Sequence, residues 1–120
     1  MLFIRIIIQL AICLILTIVI EYIPIVVFLG IPKKYFIATN VLTNVLANVV
    51  VMIFDILNSL NTLFISRTQV IVIIEVLVVI SEIILYNIYL KNNLLKNIVL
   101  TTIANALSYF IGVEILKCLL

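Results

Sequence analysis

The sequence predicts an all-α, polytopic membrane protein with four transmembrane helices arranged as two antiparallel hairpins. Of its 120 residues, 68% are hydrophobic and 10% are charged, whereas about 25% of residues are charged in an ordinary soluble domain. The apolar residues fall into four runs, each at least as long as the roughly 20 residues that a helix needs to cross a bilayer. Short polar interruptions separate the runs, and short connections make sequential helices antiparallel.

The first span runs from about Phe3 to Leu29 and ends in the basic turn Gly30–Lys34. A glycine followed by a proline is a helix stop signal. Pro24 is expected to kink the span, because a mid-helix proline removes one backbone hydrogen bond and crowds the carbonyl four residues earlier. The run is longer than the apolar core of a signal peptide, about 7 to 15 residues, and no small-residue cleavage motif follows it. We therefore interpret it as a retained helix.

Three more spans follow, from about Tyr35 to Ser59, from about Arg67 to Leu90, and from about Lys96 to Leu119. The weakly polar stretch Asn58–Arg67 separates the second span from the third, and Lys91–Asn93 forms the turn before the fourth. These runs are too long and too evenly apolar for the alternating, roughly ten-residue strands of a membrane β-barrel. Four helices are therefore predicted.

Residues near the span ends carry the orientation signal. Four lysines lie beside the first and third turns: Lys33, Lys34, Lys91 and Lys96. Three basic residues lie at the opposite ends: Arg5, Arg67 and Lys117. This excess favours a cytoplasmic position for the two lysine-rich turns and leaves dual topology open. Five aromatic residues near the same turns are typical of an interfacial belt: Tyr22, Tyr35, Phe36, Tyr86 and Tyr89.

An internal repeat is the second organising feature. At an offset of 61 residues three polar pairs coincide: Glu21 with Glu82, Asn44 with Asn105, and Asn40 with Thr101. Each unit contains two spans and would insert the same way up, which predicts a parallel repeat about an axis along the membrane normal. The units are about 1–60 and 61–120 of a single membrane domain, 1–120. The alternative is a chance match between helices rich in Ile, Leu and Val.

The repeat also places polar groups at one depth. Glu21 and Asn44 lie 11 residues before and 12 residues after Pro32. At about 1.5 Å per residue both are roughly 15 Å from the turn, near the middle of a bilayer. Glu82 and Asn105 straddle the third turn in the same manner. We therefore expect each glutamate to form a hydrogen bond with the asparagine of its own repeat unit.

Polar residues form stripes along the spans. Those of the second span lie within a stripe less than about 90° wide: Asn40, Asn44, Asn48 and Asp55. The third and fourth spans carry similar sets: Glu75 and Glu82, then Thr101, Asn105, Ser108 and Tyr109. An unsatisfied amide or a charged carboxylate in hydrocarbon costs several kcal/mol, so the stripes are expected to point inward. Asp55 and Glu114 lie nearer their span ends, within reach of lipid headgroups.

Two interpretations of the stripes remain open. Asn, Thr and Ser can serve as interhelical contacts, each worth only about 0.6 kcal/mol on average in membranes. Alternatively, the glutamates are titratable groups on a route for protons, cations or small polar solutes, because intramembrane carboxyl groups are usually functional. The candidate substrate- or ion-binding residues are Glu21, Glu82, Asn44, Asn105, Asn40, Asn48, Thr101 and Glu75.

Several classes of function are not expected. The net charge of +2 is small and scattered, unlike the basic patch of a nucleic-acid-binding protein. The chain has no His and no Gly-rich phosphate loop, so we expect no catalytic residue, no metal site and no cofactor. Cys13 and Cys118 are interpreted as small hydrophobic side chains, which leaves the redox compartment open.

One motif resembles a known group of proteins. A Glu precedes a Pro, a Gly-basic turn follows, and Asn-x-x-Thr-Asn comes next: Glu21, Pro24, Gly30, Lys33, Asn40, Thr43 and Asn44. The pattern resembles small, uncharacterised four-span integral membrane proteins of low-GC Gram-positive bacteria. The resemblance covers most of the chain. It implies a multi-pass protein of a bacterial cell membrane and implies no activity.

The sequence thus predicts a small integral membrane protein that acts as a transporter or channel component. Its polar Glu/Asn midplane site would take a cation, a proton or a small polar solute. One small bundle leaves little room for a pathway, so a homo-oligomer or a membrane complex in the lipid bilayer is expected. The alternative is a non-transporting subunit or assembly factor whose polar stripes dock partner helices. A polar cavity along the stripes would favour the first, and a closed hydrogen-bonded seam the second.

Overall fold

Four long helices make up the protein. The computed structural model describes residues 1–60, 65–90 and 93–119, and the regular structure in these ranges is helical. The α-helices are α1 (Leu2–Tyr22), α2 (Lys33–Ser59), α3 (Arg67–Leu90) and α4 (Leu94–Leu119). With the short extension of α1, all four are long and apolar enough to cross a membrane. The prediction of an all-α protein with four such helices is confirmed, and the ends of the spans fall within two residues of those predicted.

A wide turn extends α1. The helix continues without a break into a π-helical segment, Ile23–Phe28, that contains Pro24. Pro24 has no N–H to donate to the carbonyl four residues earlier, and its ring crowds that carbonyl. The N–H of Leu29 donates to the Pro24 carbonyl, five residues back, at 3.0 Å, which is the spacing of a π-helix. Gly30, with a φ of 85°, then adopts the left-handed conformation that favours glycine after a helix.

The connections agree with the predicted turns where the structure describes them. α2 begins at Lys33, so the two lysines of the first turn open this helix. An exposed ion pair joins the flanks of the second connection, with 3.1 Å between Asp55 Oδ1 and Arg67 Nε. Some predicted turn residues lie outside the described residues: Asn61 and Thr62 in the second connection, and Lys91 and Asn92 in the third.

The helices pack in a ring that follows chain order. α1 contacts α2 and α4, and α3 contacts the same two helices. In the described ranges neither diagonal pair, α1 with α3 or α2 with α4, comes into backbone contact. Near one end of the bundle the Tyr35 hydroxyl of α2 donates to the Leu85 carbonyl of α3 at 2.6 Å, and the Asp55–Arg67 pair joins the same two helices near the other. The ring leaves a central axis that side chains from all four helices can reach.

Apolar side chains fill one end of this axis, next to the connection between α1 and α2. We call this cluster the closed end: Ile25, Leu29, Ile31, Phe36, Tyr86 and Ala104. Phe36 and Tyr86 are fully buried, so the predicted interfacial belt is wrong for these two residues. Phe36 packs edge-on against the Tyr22 ring, and a hydrogen bond from Asn40 holds the Tyr86 hydroxyl inside the bundle. The outer surface, by contrast, exposes many Ile, Leu and Val side chains, as expected where lipid is the solvent.

Candidate functional site

Glu82 of α3 is fully buried, and side chains of two neighbouring helices contact both of its carboxyl oxygens. Oε1 lies 2.9 Å from the Thr43 hydroxyl of α2. Asn105 of α4 donates from Nδ2 to Oε2 at 2.7 Å. The Glu82–Asn105 hydrogen bond is one of the two carboxyl–amide pairs expected from the repeat. One carboxyl group therefore links three helices.

Glu21 of α1 is also fully buried but has fewer partners. Ser108 of α4 lies 2.8 Å from Oε1, while Oε2 has no hydrogen-bond partner among the described residues. The predicted pair between Glu21 and Asn44 is wrong, because Asn44 donates to the Asn40 carbonyl at 2.9 Å. The prediction counted residues from the turn as if α1 were regular throughout. The π-helical segment changes the rise and the phase of the helix between Glu21 and that turn.

Two hydroxyl groups each lie between a carboxyl oxygen and a backbone carbonyl oxygen. Thr43 Oγ1 lies 2.9 Å from Glu82 Oε1 and 3.0 Å from the Thr39 carbonyl oxygen. Ser108 Oγ likewise lies 2.8 Å from Glu21 Oε1 and 3.0 Å from a carbonyl oxygen three residues earlier in α4. A hydroxyl has one hydrogen to donate, and an ionised carboxylate has none. Each hydroxyl can donate to the carboxyl oxygen, or it can donate to the carbonyl and accept from the carboxyl group when that group is protonated, so the geometry accommodates neutral glutamates.

The described residues provide no basic partner for the buried glutamates. The ion pairs found there lie on the surface and join Asp55 with Arg67 and Glu114 with Lys117. Glu21 and Glu82 are close enough for negative charges on both to repel each other. A carboxylate in a membrane interior costs several kcal/mol without a partner. A proton or another cation near this pair would therefore be favoured over an anion.

Further buried polar groups extend the network toward the closed end. The Tyr86 hydroxyl accepts a hydrogen bond from Asn40 Nδ2 at 3.1 Å. Asn97 accepts one from the Thr101 hydroxyl at 2.8 Å and donates to a backbone carbonyl of α3 at 2.9 Å. Sequence reasoning missed both Tyr86 and Asn97. Asn97 could have been found from its four-residue spacing to Thr101, which is the same as the spacing from Thr101 to Asn105. No feature of the sequence distinguishes Tyr86 from the other aromatic residues.

A polar cavity of about 200 Å³ adjoins the network on the side away from the closed end. We call it the inner cavity. All four helices line it, and its polar or charged side chains are Thr17, Asn44, Asn48, Glu75, Asn105, Ser108 and Tyr109. Asn105 and Ser108 belong to both features, since they also contact Glu82 and Glu21. The volume is large enough for several water molecules. The axis thus contains a hydrogen-bonded seam beside a cavity.

The structure brings the candidate residues to this axis. Five of them are buried: Glu21, Asn40, Glu82, Thr101 and Asn105. The other three are partly buried and line the inner cavity: Asn44, Asn48 and Glu75. The inward orientation predicted for the whole stripe of α2 is wrong at Asp55, which is exposed. Asp55 lies close to the end of its helix, where its carboxylate reaches Arg67.

Metal chemistry and similarity to other proteins add little. In residues 1–60, 65–90 and 93–119 no three His, Cys, Asp or Glu side chains are grouped so that they could hold a metal ion. Comparisons with protein-family models, curated proteins and solved structures found no match to this chain. Function therefore has to be inferred from the chemistry of the site.

Proposed function

We propose that this protein is a transporter or channel component whose Glu/Asn site takes a cation, a proton or a small polar solute. The inner cavity beside Glu21 and Glu82 is the observation that carries the proposal. Polar stripes that only hold helices together would be expected to close into a continuous seam. Here the seam occupies part of the axis, and the cavity occupies the next part. Glu75 lines the cavity, and Glu82 and Glu21 adjoin it through hydrogen bonds with the lining residues Asn105 and Ser108. Intramembrane carboxyl groups beside such a cavity are typical of ion and proton paths.

The lining of the site favours positive charge. Apart from the Cys13 thiol, its polar side chains carry carboxyl, amide and hydroxyl groups, and none of the described residues that line the inner cavity is basic. Carboxyl and amide oxygens accept hydrogen bonds from ammonium-type cations and stabilise positive charge. The closed end blocks the axis on one side, so we propose that the solute enters from the end that holds the two chain termini.

We also propose the two-hairpin architecture with a parallel repeat of units 1–60 and 61–120. The buried carboxyl groups support it, because each contacts a hydroxyl group of the other unit. Glu21 of the first unit contacts Ser108 of the second, and Glu82 of the second contacts Thr43 of the first. The two hydroxyl positions differ by one helical turn when the units are superposed by sequence, so the proposed symmetry is approximate.

The surroundings and the assembly belong to the same proposal. The exposed Ile, Leu and Val side chains of the outer surface suit a lipid bilayer, and we place the protein in a bacterial cell membrane. The closed end fills the axis of a single protomer. A homo-oligomer or a membrane complex would give the solute additional routes around it, so we propose such an assembly.

The proposal is tested with Glu21→Gln and Glu82→Gln in proteoliposomes. Glutamine keeps the shape and most hydrogen bonds of a neutral glutamic acid but cannot exchange a proton or carry charge. Flux of methylammonium, potassium and protons is measured, with Glu114→Gln as the matched control because Glu114 lies on the surface. We expect the wild type to carry at least one of these ions. Each inner variant should lower that flux at least tenfold, with oligomeric state and thermal stability unchanged.

Two outcomes would contradict the proposal. Equal flux in the wild type, Glu21→Gln and Glu82→Gln would show that neither carboxyl group takes part in transport. Absence of flux for every ion tried, combined with loss of a co-purifying membrane protein from the Gln variants, would instead identify a non-transporting subunit whose stripes dock partner helices.

A further inference from the structure

A second opening reaches Glu75 from the outer surface of the bundle. A groove of about 400 Å³ runs between α3 and α4; we call it the lateral groove. Three residues line both this groove and the inner cavity: Glu75, Asn105 and Tyr109. The other residues that line the lateral groove are Val72, Val76, Val79, Ile80, Thr102 and Ala106. An apolar groove open to lipid and a polar cavity therefore meet at these three residues.

Glu75 is the acidic residue at this meeting point. It is partly buried, and in the described ranges no hydrogen bond or ion pair involves its carboxyl group. None of the described residues that line either space is basic. The place thus combines an unpaired acidic group with an adjoining apolar surface, and this combination is complementary to a molecule with a positive head and an apolar body.

We propose that the lateral groove and the inner cavity together bind an amphipathic organic cation, with its alkyl body between α3 and α4 and its primary ammonium group at Glu75. This inference rests on the proposed function, because it assigns a solute class to the same site. A primary ammonium has three hydrogens to donate. Three residues with an oxygen acceptor in the side chain line the same cavity as Glu75: Asn48, Ser108 and Tyr109. The Tyr109 ring can add a cation–π contact.

The position of the groove explains how such a molecule would arrive. Val72, Val76 and Ile80 on its rim are about half exposed on the outer surface of α3. In a bilayer this surface faces acyl chains, and each methylene buried in an apolar phase gains about 0.8 kcal/mol. An alkylammonium would therefore concentrate in the membrane first. It would then move sideways between the helices until its head reaches Glu75.

A second groove provides an internal control. It lies between α2 and α3 and is also mainly apolar, with Leu42, Leu46, Ala47 and Val50 among its lining residues. No acidic or basic residue lines it in the described part of the chain. Ala47 lines this groove and Ala106 lines the lateral groove. Substitution of either alanine by phenylalanine would fill part of the groove that it lines. The pair separates the effect of filling one groove from the general effect of a larger side chain.

The test measures binding of decylammonium to the purified protein in lipid nanodiscs, with empty nanodiscs subtracted. Decanol and decyl sulfate have the same chain with a neutral or an anionic head. We expect saturable binding of decylammonium alone. Glu75→Gln and Ala106→Phe should each weaken it at least tenfold, while Ala47→Phe and Glu114→Gln should leave it within twofold. If either Glu75→Gln or Ala106→Phe is unstable in the nanodisc, the binding measured with the other variant still decides the result.

Several results would overturn the inference. Equal binding of all three amphiphiles would show a groove for lipid tails, and unchanged binding in Glu75→Gln and Ala106→Phe would place the ligand elsewhere. Conversion of a dimer to a monomer by Ala106→Phe would show that a second copy covers the groove. The proposed function has its own readout in methylammonium, potassium and proton flux. Flux that persists without decylammonium binding would refute this inference alone, whereas binding without flux of decylammonium or of any of these three ions would refute transport.

Discussion

The two buried glutamates differ in how many of their carboxyl oxygens have a hydrogen-bond partner. Thr43 and Ser108 each bridge one carboxyl group and a backbone carbonyl of their own helix. Glu82 has a second partner in Asn105, while the second oxygen of Glu21 has none among the described residues. Buried polar atoms normally find a partner, so an exception needs an explanation. Glu82 is the better anchored group, and Glu21 is the one with an oxygen still available to a solute.

A pair of substitutions at Glu82 tests this view of a neutral, hydrogen-bonded carboxyl group. Glu82→Gln can donate to Thr43 and accept from Asn105, so we expect a change of at most about 1 kcal/mol in the free energy of unfolding. Glu82→Leu removes both contacts and leaves buried polar partners, and we expect a loss of about 1–3 kcal/mol. Unfolding in detergent measures both, with Glu114→Gln on the surface as the control.

The ranking of the two variants is the decisive result. If Glu82→Gln proved as damaging as Glu82→Leu, a negative charge at this position would be contributing to stability, and the neutral state expected for Glu82 would be incorrect. An infrared difference spectrum between the wild type and Glu82→Gln gives an independent check. It should contain the carbonyl absorption of a protonated carboxyl group.

At the scale of elements, hydrophobicity predicted the helices well because span length in a membrane depends mainly on where apolar runs end. The third span was predicted at its observed bounds, and the others lie within two residues. The site was predictable where the helices are regular. Glu82 and Asn105 flank the third turn at matching depth, and they form a hydrogen bond. Glu21 and Asn44 do not, because the π-helical segment lies between Glu21 and the first turn. Helix phase beyond such a segment could not be obtained from residue counting.

Substitution of the two glycines of the chain by alanine should change stability in opposite directions. A Cβ added at either position would meet no atom within 4 Å, so backbone conformation decides each outcome. Gly30 has a φ of 85°, and Gly30→Ala should cost about 1–2 kcal/mol. Gly112 lies within α4, and Gly112→Ala should stabilise the helix by about 0.5–1 kcal/mol. Thermal unfolding of the two variants beside the wild type measures both effects.

Each glycine variant serves as the control for the other, since both add a single methyl group. A stabilising Gly30→Ala would mean that the end of the π-helical segment can relax to an ordinary backbone conformation. A destabilising Gly112→Ala would indicate that the inner cavity, which Gly112 lines, needs its full width for the bundle to fold.

At the scale of the whole molecule, the two ends of the axis differ. The closed end is filled by apolar side chains, and the inner cavity lies beyond the buried glutamates toward the chain termini. The asymmetry was not predictable from the repeat, which relates one hairpin to the other and does not say at which end side chains fill the axis. It arises because the short connection after Gly30 folds Ile31 into the core. The described residues of the second connection that precede α3, 65–66, remain exposed.

Accessibility of single cysteines tests the asymmetry. In a variant with both native cysteines changed to serine, Asn48→Cys lines the inner cavity and Ile25→Cys lies in the closed end. A charged, membrane-impermeant thiol reagent should label Asn48→Cys from one side of an oriented membrane and should leave Ile25→Cys unlabelled from either. Ser66→Cys and Lys34→Cys mark the two sides, because both positions are exposed.

The expected pattern is that Asn48→Cys reacts from the side that labels Ser66→Cys. Reaction from the side that labels Lys34→Cys would show that the closed end opens readily. In that case the packing of Ile25 and its neighbours would not separate the two sides of the membrane.

The π-helical segment has a mechanical consequence. A π turn contains about one residue more than an α turn over the same stretch of helix, so it stores a surplus residue. If the segment tightened to α geometry, everything before it would rotate by roughly 100° about the axis of α1. Glu21, two residues before the segment, would be carried away from Ser108. Pro24 opposes the tighter turn, because in α geometry its ring would crowd the carbonyl four residues earlier. Pro24, an uncharged residue, thus helps to prevent the rotation of α1 that would separate Glu21 from Ser108.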